Sequence, residues 1–172
     1  MTLRSVPLAL LGPALLAGCA TTGEVDPQIA TATLKDTSGN IVGTATATQT
    51  PVGLAVAVAA RGLPAGTHGA HIHTKGDCSA ADFTSAGGHW NPDNTNHGTL
   101  SEAPHPHAGD LSNLVIAADG TGTLTGTSNG TFEGLMDGDG AAFIIHADPD
   151  DYKSQPTGNA GARLACGVFT AR

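Results

Sequence analysis

The chain has 172 residues, a net charge of −8, only 3% aromatic residues and 24 glycines. That length fits one domain of ordinary size, and the acidic balance argues against a nucleic-acid binder, which needs a basic face. It does not exclude a small anionic substrate, because the local field in a cleft can oppose the global charge.

The first segment reads as a targeting signal. Met1 to Gly18 carries one early positive charge, Arg4, and an apolar run from Val6 to Ala17 broken by Pro7 and Pro13. The run is too short to span a bilayer. It ends in Leu16-Ala17-Gly18-Cys19, which resembles a bacterial lipoprotein signal cut before a cysteine that then receives lipid. Losing residues 1–18 leaves six Lys and Arg against fifteen Asp and Glu, a charge of −9. With Cys19 assigned to lipid, Cys78 and Cys166 remain as an even pair in an oxidising compartment. Both a disulfide and two buried thiols stay open at this point. A disulfide would close a loop of about ninety residues, worth roughly 4–5 kcal/mol in the chain-entropy model.

Ala20 to Gln28, with Gly23 and Pro27, is a short polar tether. No amphipathic helical period of useful length follows, and Ala, Thr, Val and Gly dominate, so short strands and turns are expected. Alternation predicts strands at Ile29–Leu34, Ile41–Thr48, Leu54–Ala59 and His68–His73, with turns at Asp36–Asn40 and Gly62–Gly66. Leu111–Ala117 and Thr121–Thr127 read as a hairpin about Asp119-Gly120. Ala141–Ala147 and Ala165–Thr170 complete about eight strands, a spacing that suggests a sandwich or barrel. Two stretches break the rhythm: Thr74 to Asp110 and Asp148 to Arg163. Loops that long are uncommon unless functional or disordered.

All eight histidines fall between residues 68 and 146. His71 and His73 sit two apart on a strand and so share a face. His89, His97, His105, His107 and Asp110 lie in the first long loop, and His146 ends an apolar strand run. Four imidazoles in a flattened arrangement suit Cu(II), and three imidazoles with a carboxylate suit tetrahedral Zn(II). Six histidines and one aspartate fill both sites only if one imidazole is shared.

The combination His71-Ile72-His73, Ser85-Ala86-Gly87-Gly88-His89-Trp90-Asn91-Pro92, His97-Gly98, His107-Ala108-Gly109-Asp110-Leu111 and Gly161-Ala162-Arg163-Leu164-Ala165-Cys166-Gly167-Val168 resembles the copper/zinc superoxide dismutases. The resemblance runs from about Leu34 to Phe169. It implies an all-β fold, an eight-stranded antiparallel Greek-key barrel or sandwich with two long functional loops. It implies copper on His71, His73, His89 and His146, and zinc on His89, His97, His107 and Asp110, with His89 bridging the metals. It implies a Cys78–Cys166 disulfide, Arg163 at the copper mouth faced by Thr157, Asp150 as a carboxylate linking histidines of the two sites, and His68 as a structural histidine. Trp90 departs from the smaller aromatic usual there. His105 is an extra imidazole two residues before the matched ligand, and the spacing His107-Ala108-Gly109-Asp110 favours His107.

The expected organisation is therefore a lipoprotein signal peptide over 1–18, a tether over 19–28, and a dismutase-like barrel over 29–172. The expected activity is dismutation of superoxide to dioxygen and hydrogen peroxide, protecting the envelope from the periplasm or the outer surface. A membrane lipid anchor and a possible homodimer complete the expected partners, and Lys153 is expected to extend the attractive field of Arg163. A copper-delivery module would need neither the zinc set nor Arg163, and a metal-free barrel would be expected to lack some of the seven ligands.

Overall fold

The computed structural model describes Met1 and residues 26–99 and 106–172. The expected signal segment, Cys19 and His105 lie outside the described residues.

Ten strand segments are present among the described residues: β1 (Ile29–Asp36), β2 (Ile41–Thr50), β3 (Gly53–Ala60), β4 (Gly66–His68), β5 (Ala70–His73), β6 (Leu114–Ile116), β7 (Gly122–Ser128), β8 (Ala142–His146), β9 (Arg163–Val168) and β10 (Thr170–Ala171). The only α-helix among the described residues is α1 (Phe132–Leu135). All ladders are antiparallel, in the order β5-β8-β9-β1-β2-β3-β7, with β10 on β1 and β4 paired to β6. The result is a nearly all-β, curled antiparallel sheet, as the family resemblance implies.

Each of the eight expected strands is present, and two of them are broken. Gly69 separates β4 from β5: its N–H donates to the Asp148 carbonyl at 2.8 Å and its carbonyl accepts from His146 at 2.8 Å. There the strand changes partner from β6 to β8. A Cβ on Gly69 would lie 2.8 Å from that of Ala160, so only glycine allows the approach. Phe169 separates β9 from β10 and is buried in the core.

The expected hairpin is corrected in its pairing. The chain does reverse at Asp119-Gly120, where Gly120 donates to the Ala117 carbonyl and Ala117 to that of Thr121. The flanking strands then take other partners, β6 with β4 and β7 with β3. The turn is therefore a corner where the sheet curls, and local turn chemistry carries no information about that choice.

Period-2 alternation builds the interior. Ala30, Ala32 and Leu34 of β1, Ala45 and Ala47 of β2, Leu54, Val56 and Val58 of β3, and Phe143 and Ile145 of β8 all face one core, with threonines on the outside of β1, β2 and β7. The Trp90 indole joins this core and lies over Gly130, where a Cβ would collide with the ring. The larger aromatic is thus accommodated by a glycine across from it.

A second, smaller cluster lies on the opposite face of β8 and β9: Phe83, Ala86, Ala142, Ile144 and Cys166. Cys166 is disulfide-bonded to Cys78, with Cα atoms 5.9 Å apart and a separation of 88 positions in sequence. The bond pins the first long loop against β9. Replacing Cys78 with alanine should lower the melting temperature by roughly 10 °C or more, the equivalent of about 4–5 kcal/mol for a loop of this length. Calorimetry of the variant beside the oxidised parent checks this, and an unchanged melting temperature would refute it.

Candidate metal centre

Ala70 and Ile72 of β5 point into the main core, so strand alternation sends His71 and His73 to the other face. There they stand opposite Ile144 and Ala142 of β8. His146 ends β8, where a register shift after Ile145 pairs it with Arg163. These imidazoles lie outside the barrel wall and are nevertheless buried, because the long loops fold over them. The first loop is held by backbone: Ile72 donates to the Gly109 carbonyl and accepts from Trp90 N–H, each at 2.9 Å, and Gly109 donates to the Trp90 carbonyl at 2.8 Å. Isolated bridges pair His71 with Asp110 and His73 with His89. A Cβ at position 109 would collide with the Ile72 carbonyl oxygen, so this approach requires glycine.

Two groups of side chains converge as a result. One is His71, His73, His89 and His146; the other is His89, His97, His107 and Asp110. In each group the candidate ligand atoms lie within 4.8 Å of one another, and His89 belongs to both.

The outer hydrogen bonds decide which nitrogen of each ring faces inward. His71 Nε2 donates to Asp150 Oδ2 at 2.7 Å, leaving Nδ1 buried without a partner. His73 Nδ1 donates to the Gly87 carbonyl at 2.9 Å and His146 Nδ1 faces the Gly161 carbonyl at 3.3 Å. Their Nε2 atoms then face each other at 3.3 Å. His89 Nε2 is a fourth buried nitrogen, without a partner. The rings form a distorted quadrilateral: four neighbouring centroid separations run from 3.9 to 5.4 Å, and the two across are 6.1 and 6.4 Å. Four imidazole nitrogens in that flattened arrangement suit Cu(II). Burial pushes the imidazolium forms down, with His89 lowered to about 4 and His146 to about 3, while His73 lies well below the ordinary value. These rings keep free lone pairs at neutral pH, as ligands must.

In the second group, Asp110 meets His89 Nδ1 at 2.7 Å and His97 Nδ1 at 3.0 Å, with His107 Nδ1 at 3.4 Å. His97 Nε2 is committed to Asp150 Oδ1 at 2.9 Å. Its Nδ1 therefore faces the Asp110 carboxylate, and neither it nor His107 Nδ1 has an assigned hydrogen bond. Buried acceptors so close repel unless a cation or proton lies between them. Three imidazole nitrogens gathered about one carboxylate are the donor set that tetrahedral zinc takes. Burial alone would lower His97, but the carboxylates of Asp110 and Asp150 hold it up at about 9. Burial would raise Asp110, yet the imidazoles of His107, His89 and His97 outweigh it and keep the carboxyl well below the usual range.

Asp150 joins the groups by holding His71 with one oxygen and His97 with the other. Asn113 was not singled out from the sequence. Its carboxamide accepts from Asp150 N–H at 2.8 Å and donates to the Asp150 carbonyl at 2.9 Å. Asn113 follows Asp110 by three residues in a loop, a position with no recognisable pattern of its own. Arg163 donates to the Phe83 carbonyl at 2.5 Å and to the Gly87 carbonyl at 2.6 Å. That second carbonyl also holds His73, so the guanidinium and the four-histidine cluster share one acceptor. Arg163 lines an open depression of about 550 Å³ with Asp82, Thr84, Gly161 and Ala162. Thr157 is half-buried, and no hydrogen bond joins its side chain to Arg163 among the described residues. His68 stands apart, with Nδ1 at the His146 carbonyl (2.8 Å) and Nε2 at the Pro64 carbonyl (3.0 Å).

Comparison with known proteins agrees with this geometry. The family described as copper/zinc superoxide dismutase (SODC) matches residues 41–169. The chain is 42% identical over 148 residues to "Superoxide dismutase [Cu-Zn]" of Caulobacter vibrioides, covering 81% of this chain and 84% of that one. It is 39% identical to the protein of the same name from Deinococcus radiodurans, covering 99% and 97%. The structure of the Cu/Zn superoxide dismutase from Brucella abortus superposes with a TM-score of 0.69 at 30% identity, covering 83% of this chain and 99% of that one. With its histidine clusters suited to copper and zinc, the chain belongs to the copper/zinc superoxide dismutase family, oxidoreductases acting on superoxide.

Proposed function

We propose that the chain dismutates superoxide in the cell envelope, with copper held by His71, His73, His89 and His146 and zinc by His89, His97, His107 and Asp110. The observation that carries this reading is that His89 belongs to both clusters, with Nδ1 at the Asp110 side and Nε2 unpartnered. Held by those residues, copper would supply one-electron chemistry toward superoxide, and zinc would supply a fixed charge. The protein then has three tasks. His71, His73 and His146 present nitrogens whose tautomers are set by Asp150, Gly87 and Gly161. His89, as the shared imidazole, holds a proton on Nε2 between half-reactions and delivers it to the peroxide product. Arg163 places a permanent positive fork beside the cluster, where an acidic chain would otherwise repel an anion.

A copper-delivery role finds no use for Arg163 or for the second cluster. A xanthine-oxidase-coupled assay of the metallated protein tests the reading: activity proportional to bound copper supports it, and a fully metallated, inactive protein refutes it.

The Cys78–Cys166 disulfide supports an oxidising compartment, and Leu16-Ala17-Gly18-Cys19 supports a lipid anchor there, on a tether reaching to about residue 28. Detergent phase partition checks the anchor. The parent should enter the detergent phase and Cys19→Ser the aqueous phase; a parent already in the aqueous phase would overturn it.

His107, rather than His105, is the assigned zinc ligand. His105→Ala should retain both metals, whereas His107→Ala should lose zinc preferentially, read by elemental analysis of the purified variants. Zinc loss confined to the His105 variant would reverse the assignment.

Arg163→Ile should cut turnover per bound copper about tenfold or more, as for loss of about 1.4 kcal/mol of docking. The ionic-strength dependence should flatten as well, because the screened charge is gone. Full copper with an unchanged rate and salt slope would exclude Arg163 from substrate guidance.

A further inference from the structure

The loop after β8 contacts the second cluster in two places. One is Asp150, already described. The other is Gln155, whose Oε1 accepts from the His97 peptide N–H at 2.9 Å and whose Nε2 donates to the His97 carbonyl at 2.8 Å. No other hydrogen bond to the His97 peptide is present among the described residues. The partners are 58 residues apart in sequence, and His97 sits in a stretch with no strand or helix of its own. A side chain in such a stretch can point accurately only if its backbone is held from outside.

Gly158 shows how closely this loop seats. Its φ is +64°, and a Cβ there would collide with Asp150 Oδ1 and lie 2.6 Å from His97 Nε2. The turn from Gln155 to Gly158 therefore lies directly against the Asp150–His97 hydrogen bond. Gly158 N–H also donates to the Ser154 carbonyl at 2.7 Å, closing the turn on itself.

We propose that Gln155 is a positioning residue for the zinc cluster: its carboxamide, bonded to both peptide groups of His97, aims His97 Nδ1 at the metal position. The four-histidine cluster lacks His97, so zinc retention depends on Gln155 and copper retention does not. This rests on the assignment of zinc to His89, His97, His107 and Asp110. An amide suits the task because it offers one acceptor and one donor in a plane, matching the N–H and C=O of one residue. A carboxylate offers no donor, and a lysine no acceptor.

The test uses the full-length chain and two variants, Gln155→Ala and Gln155→Met. Methionine keeps the length and packing of the side chain and removes both hydrogen bonds. Zinc affinity is measured by chelator competition with zinc as the probe, and copper affinity separately with copper. Both variants should bind zinc about tenfold or more weakly, the scale seen for outer partners of metal ligands, with copper affinity unchanged. Zinc affinity equal to the parent in both variants overturns the proposal. So does full retention by Gln155→Met alone, which would make packing the operative contact. Equal weakening of zinc and copper overturns it too, as general loosening of the loops. A parent chain that takes up no zinc overturns the zinc assignment beneath it, so that failure is distinct from failure of Gln155 itself.

Discussion

The Asp150 carboxylate is the interaction on which the centre depends. It is buried, with one oxygen on His71 and the other on His97. Each contact engages the Nε2 of its imidazole and leaves Nδ1 facing inward. A buried carboxylate without such partners would be neutralised or would destabilise the fold by several kcal/mol. Here the two imidazoles keep its pKa below the usual carboxylate range against the opposing effect of burial. The same two bonds tie a strand histidine to a loop histidine, so one carboxylate spans both clusters.

Burial on the outer side of the barrel wall is unusual for so many polar groups, and it is made by loops rather than by sheet packing. The backbone of Ile72 is the seam: one edge of β5 pairs with β8, and the other is covered by Gly109 and Trp90. That seam places His89 beside His73 and Asp110 beside His71. The disulfide and Arg163 close the opposite end of the same loop, one covalently and the other through the Phe83 and Gly87 carbonyls. Arg163 is therefore a structural tie as well as the proposed guiding charge. The two roles are compatible, since two carbonyl contacts leave other guanidinium donors free.

Some of this was legible in the residues. The alternation of Ala, Leu and Val with Thr marks the strands of the barrel, because period 2 is a local property of the backbone. His71-Ile72-His73 states its own geometry: two imidazoles on one face and a core residue between them. The family resemblance then depended on motifs such as Gly87-Gly88-His89 and His107-Ala108-Gly109-Asp110, in the last of which Gly109 meets the backbone of Ile72 and Trp90. Sequence patterning did not show that Gly69 and Phe169 would divide strands, nor that the strands either side of Asp119-Gly120 would choose other partners. Those outcomes depend on which edge is unoccupied after the sheet has curled.

What the sequence by itself determined was the strand periodicity, the inventory of ligand-type side chains and the long loops that carry them. Each of these is set by residues near one another in the chain. Only the tertiary structure decided which ring nitrogen of each histidine faces inward, that the side chains of Asn113 and Gln155 grip Asp150 and His97, and that the Gly87 carbonyl serves both His73 and Arg163. Those contacts join residues up to 79 positions apart. A tautomer depends on the partner at the far side of the ring, and folding alone brings that partner there.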